Sequence, residues 1–444
     1  MENPAPVRWP TKNQRTCLWA LLIAAIIFAG VVEYRSVFLK RRMTDADVYF
    51  RTAWAVRTGL DIYDVADTNG WHYQYPPFLA VLMVPVANPP PLADRAGMLP
   101  YGVSIAVWFT FSVVCLAFGI HWLASAIEPD LVKSLSQSFL GGCANWWALR
   151  IVPFLVCLPS IGRTLSRGQI NLMVLMLFCA ATALLTAKRR ALAGICLGAA
   201  ISIKLIPGFL LLYGIWRRDW RFLAGSLGGV LLCGIMVPML AMGPGRTVDA
   251  YRKYCTVLLS PALAGGSDKS RTEELLNANG TDSQAFKVII HNTLHASLPR
   301  EKRPSEVQPW VSVAHWILAA LFTATTLWFA RKPRHGDVIY NVLFIGCLLA
   351  IMIPTSPVSH THYFVYLLPL VMALTAHAWE KNHATHLGRG YSALYAIHIL
   401  MNVICLPVSL LLLKDLGISL YGGLILWAAG IHALWERSKM PYES

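Results

Sequence analysis

The sequence predicts an all-α integral membrane protein that crosses the bilayer about 12 times. Of its 444 residues, 56% are hydrophobic and only 14% are charged, whereas a typical soluble domain has about 25% charged residues. The mean hydropathy of +0.51 is more than one water-soluble core can hide. Apolar runs recur along the whole chain, and many approach the roughly 20 residues that a spanning helix needs.

The formal net charge of +15 does not indicate nucleic-acid binding. Most Lys and Arg residues lie in short connectors between apolar runs, where cytoplasmic loops gather positive charge. Nine of the ten cysteines lie within or against apolar segments, and only Cys255 lies in a long loop. We therefore predict no disulfide framework and no cysteine metal site.

Eleven apolar runs predict spanning helices, and a twelfth segment is a weaker candidate. The runs are residues 17–34, 101–127, 139–161, 170–187, 191–216, 222–242, 311–330, 338–354, 363–378, 391–413 and 416–433. The twelfth segment, residues 76–87, is short, and Pro76, Pro77 and Pro85 make its ends irregular. Lys204 and Pro207 interrupt the run 191–216, so it makes either one pass or two short passes.

The orientation follows from the basic residues. Arg8, Lys12 and Arg15 precede the first run, and no small-residue cleavage site clearly follows it, which predicts a retained signal anchor with a cytoplasmic amino terminus. Alternation puts Asp45 outside and the basic residues 217–221, 331–334 and 436–439 inside, as the positive-inside rule requires. Residues 188–190 fall outside on this count and disagree with the rule.

This orientation divides the chain into five parts. We predict a cytoplasmic amino terminus (1–16), an N-terminal membrane module (17–242) with a catalytic first external loop (35–75), a long external loop (243–310), C-terminal membrane helices (311–434) and a cytoplasmic tail (435–444). The external loops are expected to carry short surface helices.

Residues 44–77 hold five aspartates and seven aromatic residues in one polar loop. Acidic side chains near a bilayer are costly unless they have a task. The sequence Thr44-Asp45-Ala46-Asp47 matches a capping box and predicts a helix on the outer surface with its apolar side toward the membrane. Asp47 is expected to fold back on the cap. Asp45 projects freely and is the better candidate for a general base, with Asp47 second.

A segment rich in aromatic residues, 71–75, ends this loop. The faces of Trp71, Tyr73 and Tyr75 suit sugar rings, but Trp and Tyr also gather at the membrane interface without a ligand. Anchoring and binding remain equal alternatives for this segment.

Polar residues beside the run 170–187 have two interpretations. Arg163 and Arg167 precede Gln169 and Asn171. Buried amides usually hold helices together, although Gln169 can equally hydrogen-bond a ligand.

Lys204 and two histidines are further candidates for binding an anion. A lysine within an apolar run must snorkel or meet an anion, and a lipid phosphate is the anion at hand. His360 and His362 lack a nearby carboxylate and are weak as a metal site, so ordinary interface histidines are the default. Their predicted position on the same side as Asp45 favours a phosphate contact.

Together these segments resemble glycosyltransferase family 87, integral-membrane enzymes of the GT-C type. The family's patterns are matched by Asp45, Tyr49, Gly59, Tyr63, Tyr75, Pro76 and Pro77, then by Gly168-Gln169-Ile170-Asn171, then by Gly198, Lys204 and Pro207, and finally by the run from Ser356 to His362. The resemblance covers about residues 40–375. The chain departs from the family at His360, where Trp is favoured, and at Asp282-Ser283-Gln284, which matches only loosely.

The resemblance implies a GT-C-type transmembrane bundle. It further implies transfer of a hexose, often mannose, from a polyprenyl-phosphate donor to a lipid or glycan acceptor on the outer face of the cell membrane, with inversion and with the first-loop aspartate as base. The partners it implies are that donor, that acceptor and membrane lipids, without nucleic acid, cofactor or metal. A displacement at the anomeric carbon also needs a group that stabilises the departing phosphate; Lys204, His362, Arg163 and Arg167 are the candidates.

Two other classes compete with a transferase. A transporter or lipid-linked oligosaccharide flippase places ionisable residues near the membrane midplane and often has repeated halves. Lys204 and Arg150 lie inside apolar runs, but the acids lie in an external loop and the sequence has no internal repeat. A non-catalytic scaffold would not need acids beside aromatic residues.

Overall fold

The structure is a computed structural model that describes residues 12–35, 44–134, 141–261, 271, 274, 283–332, 336–382, 386–405 and 410–439. These residues are nearly all helical. Their β features are two isolated bridges, one between Ala66 and His72 and one between Ser283 and His360. The prediction of an all-α fold is confirmed.

The α-helices of the described residues are α1 (Lys12–Tyr34), α2 (Thr44–Thr58), α3 (Pro77–Leu82), α4 (Tyr101–Ser134), α5 (Gly141–Arg167), α6 (Asn171–Thr186), α7 (Arg190–Ile203), α8 (Leu211–Arg217), α9 (Trp220–Gly229), α10 (Val237–Met242), α11 (Pro244–Lys253), α12 (Phe286–Leu294), α13 (Pro309–Phe329), α14 (Val338–Thr355), α15 (Leu368–Lys381), α16 (Arg389–Ile404), α17 (Leu411–Asp415) and α18 (Ile418–Lys439). Short 3-10 helices (Val84–Val86, Ile206–Leu210, Arg300–Lys302 and Thr361–Leu367) and π-helical stretches (Val230–Met236 and Tyr254–Leu259) connect or extend them.

The helices make this a multi-pass membrane protein. Within the described residues, seven helical segments are long and apolar enough to span a bilayer: Tyr101–Leu131, Asn145–Arg167, Trp220–Met242, Pro309–Phe329, Val338–Thr355, Thr361–Lys381 and Ile418–Lys439. Three shorter apolar helices accompany them: Leu22–Tyr34, Asn171–Thr186 and Arg190–Ile203. The count of about 12 spans stays a prediction.

Two of these segments form the centre of the bundle. The apolar window of Val338–Thr355 is 89% buried and that of Thr361–Lys381 is 100% buried, so other helices surround both. In contrast, α1 leaves Trp19, Ile23 and Ile27 exposed. Large apolar side chains on the outside of a membrane bundle face lipid, which is the position we assign to this face of α1.

The run 191–216 forms two segments that run in opposite directions, which we call arms, rather than one continuous pass. Gly194 packs against Phe222, and Gly198 packs against Ser226, with no room for a Cβ at either glycine. Later residues of α7 thus contact later residues of α9, so the two helices run parallel. The chain must therefore return to the start of α9 through residues 204–217, which form a 3-10 helix and α8.

The two-armed geometry also explains the one loop that disagreed with the positive-inside rule. Arg190 at the start of α7 lies with Nε 3.4 Å from Asp219 Oδ2, just before α9. Residues 188–190 and 217–221 therefore lie at the same end of the bundle.

The candidate span at residues 76–87 is wrong. Its α-helical part, α3, has six residues and is followed by a three-residue 3-10 helix. A six-residue helix is about 9 Å long, far short of the roughly 30 Å of a bilayer core. The prolines that bound this segment confine the helix to a short element.

The prediction that α2 lies with its apolar side on the membrane is also wrong. Tyr49, Phe50 and Ala53 are at most 1% exposed, and Val56 is 7% exposed, because α2 packs against α3, the neighbouring 3-10 helix and α5. The helix exists as predicted, but protein rather than lipid covers it.

Parts of the predicted termini and of the long external loop lie outside the described residues. These are residues 1–11, 262–270, 272–273, 275–282 and 440–444. The described part of the loop contains α11 and α12, so the prediction that it carries short helices is confirmed, while its position outside the membrane stays a prediction.

Candidate functional site

A cavity of about 520 Å³ lies at the end of the bundle where α5 and α7 finish. Its walls come from the first loop, the 3-10 helix that begins at Thr361, the π-helical stretch Tyr254–Leu259, α13 and the end of α14. Seven of the twelve predicted site residues line it: Asp45, Tyr75, Arg167, Gln169, Lys204, His360 and His362. Five do not: Asp47, Tyr49, Tyr63, Arg163 and Asn171.

Asp45 forms an ion pair with Arg167 in this cavity. The Arg167 Nε donates to Asp45 Oδ2 at 2.6 Å, and the side chains are 46% and 22% exposed. The pair joins the first turn of α2 to the last residue of α5. Helix α5 runs six residues beyond the predicted run 139–161 and so brings Arg167 to the cavity.

Gly168 makes the close approach of α2 and α5 feasible. Its φ of +67° suits glycine, and an added Cβ would lie 2.6 Å from Ala46 Cβ. The Trp108 indole donates to the Gly168 carbonyl at 2.8 Å and holds the turn in place. The residues on either side, Arg167 and Gln169, are thereby aimed at Asp45 and the first loop.

Gln169 is held by two tyrosines of the first loop. Its Oε1 accepts from the Tyr49 hydroxyl at 3.1 Å and from the Tyr75 hydroxyl at 3.3 Å. The Tyr63 hydroxyl supports the loop by donating to the Tyr75 carbonyl at 2.9 Å. Burial, together with the nearby Asp45 carboxylate, raises the pKa of Tyr75 to about 12, so Tyr75 keeps its proton near neutral pH.

Lys204 enters the cavity from the turn between the two arms. Its backbone leaves the helix with φ −152° and ψ 131°. The Nζ donates to Asn171 Oδ1 at 3.1 Å and lies 3.8 Å from the centre of the Tyr363 ring and 5.3 Å from that of Tyr75. Asn171 therefore stands behind Lys204 rather than in the cavity.

His360 and His362 lie side by side where the 3-10 helix begins. Their rings stack at 5.3 Å with a 22° interplanar angle. His362 is 3% exposed, and its Nε2 has no hydrogen-bond partner among the described groups. A buried, unpaired ring nitrogen in a cavity wall is a site for a polar ligand group.

Residues 283 and 284 of the long loop hold the segment before these histidines in place. The backbone N–H of Gln284 donates to the Ser359 carbonyl, and the Ser359 N–H donates to Ser283 Oγ at 3.1 Å. The Gln284 amide then bonds the Lys414 carbonyl at 3.0 Å and the Leu420 N–H at 3.2 Å. The loosely matching element at residues 282–284 thus supports the histidine loop, although residue 282 itself lies outside the described residues.

Asp47 is placed away from the cavity. It is fully buried, and its Oδ2 accepts from the Thr68 hydroxyl at 3.2 Å and from the Thr68 N–H at 3.4 Å. These bonds tie α2 to the following loop, where the sequence predicted a bond back to the helix cap. Arg163 lies one turn before Arg167 on α5 and does not line the cavity.

Sequence reasoning missed several cavity residues. Gln74, Tyr254, Trp316 and Tyr363 all line it. Tyr363 directly follows His362, so its position in the motif was the available signal. Trp316 and Tyr254 lie in an ordinary apolar helix and in the long loop, and nothing in their spacing singles them out.

One wall of the cavity is apolar. Leu205, Ile206 and Phe209 of the return arm face Leu258, Leu259 and Trp316 across it. The rest of the lining includes one carboxylate, four potential cations and two side-chain amides. This combination can take a ligand with an anionic group, a polyhydroxylated part and an apolar chain. Within the described residues, no group of three or more His, Cys, Asp or Glu side chains is placed to hold a metal ion.

Comparison with known proteins supports this interpretation. The family model for glycosyltransferase family 87 matches residues 73–355. A polyprenol-phosphate-mannose-dependent alpha-(1-2)-phosphatidylinositol mannoside mannosyltransferase of Mycobacterium tuberculosis is 24% identical over 83% of this chain and 79% of its own. A polyprenol-phosphate-mannose-dependent alpha-(1-2)-phosphatidylinositol pentamannoside mannosyltransferase of Mycolicibacterium smegmatis is 27% identical over 84% of this chain and 79% of its own.

The crystal structure of ArnT from Cupriavidus metallidurans bound to undecaprenyl phosphate superposes with a TM-score of 0.41 at 13% identity, covering 96% of this chain and 81% of that chain. The family match spans more than half of the 444 residues. The chain therefore belongs to glycosyltransferase family 87 and is a multi-pass membrane glycosyltransferase.

Proposed function

We propose that this enzyme transfers mannose from a polyprenyl-phosphate donor to a lipid or glycan acceptor on the extracytoplasmic face of the cell membrane, with inversion and with Asp45 as general base. The observation that carries the proposal is one cavity lined by the Asp45 carboxylate, by the cationic groups of Lys204 and Arg167, and by an apolar wall. The donor has matching parts: a phosphate, a sugar and a long hydrocarbon chain.

The reaction is a single displacement. The acceptor hydroxyl gives its proton to Asp45 as its oxygen attacks the anomeric carbon. The bond between that carbon and the phosphate oxygen breaks, and polyprenyl phosphate leaves with the electron pair. One attack from the face opposite the leaving group inverts the configuration.

The leaving phosphate is stabilised by the basic side of the cavity. Lys204 and Arg167 supply charge, and the unpaired Nε2 of His362 supplies a hydrogen bond. Charge-assisted bonds to phosphate are among the stronger polar contacts in proteins. Because these side chains meet the leaving group's charge, the reaction needs no divalent metal.

Two further observations support the choice of sugar and of membrane face. Both relatives described above carry mannosyltransferase names that specify polyprenol-phosphate-mannose dependence. Basic residues 188–190, 217–221 and 331–332 and Arg437 gather at the end of the bundle opposite the cavity, as the contacts between Arg190 and Asp219, Arg217 and Tyr340, and Arg437 and Asp337 indicate. By the positive-inside rule, this clustering supports a cytoplasmic position for that end.

The contacts of Arg150 give no support to a transporter, the competing class of protein. Its guanidinium bonds both carboxylate oxygens of Glu128, at 2.5 and 3.1 Å, and the pair joins α4 to α5. An arginine already paired within the bundle has a structural role.

The proposal is tested with purified enzyme in proteoliposomes, supplied with radiolabelled polyprenyl-phosphate mannose, glucose or arabinose and a native lipid extract. We expect label from the mannose donor to enter an extractable lipid or glycan, and we expect transfer to continue in excess EDTA. Transfer of glucose or arabinose alone would overturn the choice of sugar. Strict dependence on added magnesium or manganese would overturn the metal-free mechanism.

A further inference from the structure

The contacts of Lys204 suggest a role for Asn171 that substrate contact does not explain. Asn171 is fully buried at the first residue of α6 and does not line the cavity. Its Oδ1 accepts from two donors, the Lys204 ammonium at 3.1 Å and the Tyr366 hydroxyl at 2.7 Å. Since both partners donate, the amide oxygen must face them, and the orientation of the amide is fixed.

The other half of this amide is left without a partner. Asn171 Nδ2 is buried and makes no hydrogen bond with any described group. An unsatisfied buried N–H group costs about 1–3 kcal/mol. A carboxylate at this position would supply the same oxygen to both donors, would have no orphaned N–H and would pair with Lys204. The amide therefore leaves one N–H unsatisfied while placing no negative charge beside Lys204.

The groups in direct contact with Lys204 are all uncharged. The faces of the Tyr363 and Tyr75 rings attract its ammonium without carrying a net charge, and within the described part of the chain Lys204 makes no ion pair. The Asp45 carboxylate of the same cavity is paired with Arg167. A buried ammonium that no carboxylate contacts is costly, so this arrangement suits a site in which the ligand itself brings the anion.

We propose that Asn171 is a positioning residue that holds the Lys204 ammonium toward the cavity with a neutral oxygen and so leaves its charge for the lipid phosphate of the donor. Tyr366 fixes Asn171 from behind. This inference rests on the proposed function, because it takes Lys204 as a phosphate ligand.

The test replaces the neutral oxygen by a charged one of the same shape. Full-length parent, Asn171→Asp, Asn171→Ser and Lys204→Met enzymes are reconstituted in lipid nanodiscs, and binding of undecaprenyl phosphate is measured beside binding of uncharged undecaprenol. We expect Asn171→Asp to weaken undecaprenyl phosphate binding on the order of a hundredfold and to leave undecaprenol binding unchanged. Asn171→Ser keeps a neutral oxygen and should stay within about threefold of the parent.

Asn145→Asp is the matched control. Asn145 is also buried, its Oδ1 accepts from the Trp379 indole at 2.7 Å, and its Nδ2 is likewise without a partner, but it lies at the opposite end of the bundle. It should bind undecaprenyl phosphate like the parent. In steady-state kinetics, Asn171→Asp should raise the donor KM far more than it lowers kcat. A purely structural defect would instead lower the fraction of enzyme molecules that are active, and therefore the apparent kcat.

The outcomes separate the two proposals. Loss of phosphate binding in Lys204→Met with parent-like binding in Asn171→Asp would overturn the role of Asn171 and leave the proposed function intact. Equal losses in Asn171→Ser and Asn171→Asp would also overturn it, because neutrality would then not matter. Parent-like binding in Lys204→Met would overturn the assignment of Lys204 to the phosphate, and the role of Asn171 with it.

Discussion

At the scale of single residues, two aspartates at the start of α2 have opposite surroundings. Asp45 lines the cavity and pairs with Arg167. Asp47 is fully buried and bonds Thr68. A general base must come within hydrogen-bond reach of the hydroxyl that it deprotonates, so we propose the chemical role for Asp45 and a structural role for Asp47.

Asp45→Asn should lower the turnover number by about a hundredfold or more, because an amide keeps the shape but cannot take the proton. Steady-state transfer of labelled mannose at saturating donor measures this loss. The matched control is Asp249→Asn, since Asp249 is a well-exposed acid on α11 and should retain parent activity. Near-normal turnover by Asp45→Asn would refute the assignment of the base.

Gly168→Ala should lower activity by moving Asp45 away from Arg167. The new Cβ would lie 2.6 Å from Ala46 Cβ, at a φ of +67°, and non-glycine residues in that region cost about 1–3 kcal/mol. Gly162→Ala, six positions earlier on α5, is the control because its added Cβ meets nothing within 4 Å. Transfer rates and thermal unfolding of the two variants are compared, and equal behaviour would show that the close contact with α2 does not matter.

Residue chemistry shows which cavity residues could be predicted from the sequence. Asp45, Lys204 and His362 stand out because charge is costly in or beside an apolar run. Trp316 does not stand out, since an aromatic residue near a membrane interface has many reasons to be there. The bond between Asp47 and Thr68 joins residues 21 positions apart, and no local pattern encodes it.

At the scale of elements, glycine packing between α7 and α9 decides where Lys204 lies. Gly198 packs on Ser226 and Gly229, and a Cβ at Gly229 would approach the Ile195 carbonyl to 2.6 Å. Small residues let helices approach closely in membranes. The end of α7, and with it Lys204, is therefore positioned against a fixed neighbour.

Gly198→Val should destabilise the enzyme by about 1–3 kcal/mol through overpacking and should raise the donor KM by displacing Lys204. Gly228→Val is the control, because an added Cβ at Gly228 meets nothing within 4 Å. Thermal unfolding in detergent and steady-state kinetics measure both effects. If the two variants have the same unfolding temperature, the glycine contact does not hold α7 in place.

Helix positions were easier to predict than helix directions. Apolar length located the segments, but the reversal after Lys204 depends on the parallel contact of α7 with α9. Lys204 and Pro207 made a break plausible, yet only tertiary packing chose between one pass and two arms. Likewise, the amphipathic pattern of α2 gave its helix correctly and could not say whether lipid or protein covers it.

At the scale of the whole molecule, the cavity and the basic loops lie at opposite ends of the bundle. Labelling of single cysteines in intact spheroplasts tests the orientation, in a background where the exposed Cys255 is replaced by serine. We expect Asn69→Cys and Ser305→Cys, at exposed positions near the cavity end, to react with an impermeant maleimide. Arg189→Cys, exposed at the basic end, should react only after the membrane is permeabilised.

The reverse pattern would place the active site in the cytoplasm. Labelling of only one of Asn69→Cys and Ser305→Cys would instead contradict the common end that the fold gives to the first loop and the long external loop.

The fold class and the family could be predicted from the sequence. The fold class depends on apolar runs long enough to span a bilayer, and the family depends on short motifs that occur in a fixed order along the chain. The cavity itself could not. It brings together residues as far apart as Asp45 and Tyr363, and their meeting depends on how all the intervening helices pack.

The bonds from Gln284 to Lys414 and Leu420 have a consequence for biosynthesis. The loop that presents His360 and His362 rests, through Gln284, on residues that leave the ribosome more than fifty positions later than the histidines. A growing chain halted before α18 would hold Asp45, Lys204 and both histidines and still lack the Leu420 half of this support. We expect the enzyme to acquire activity only when its last membrane helix is inserted, so that partly made chains cannot consume lipid-linked sugar.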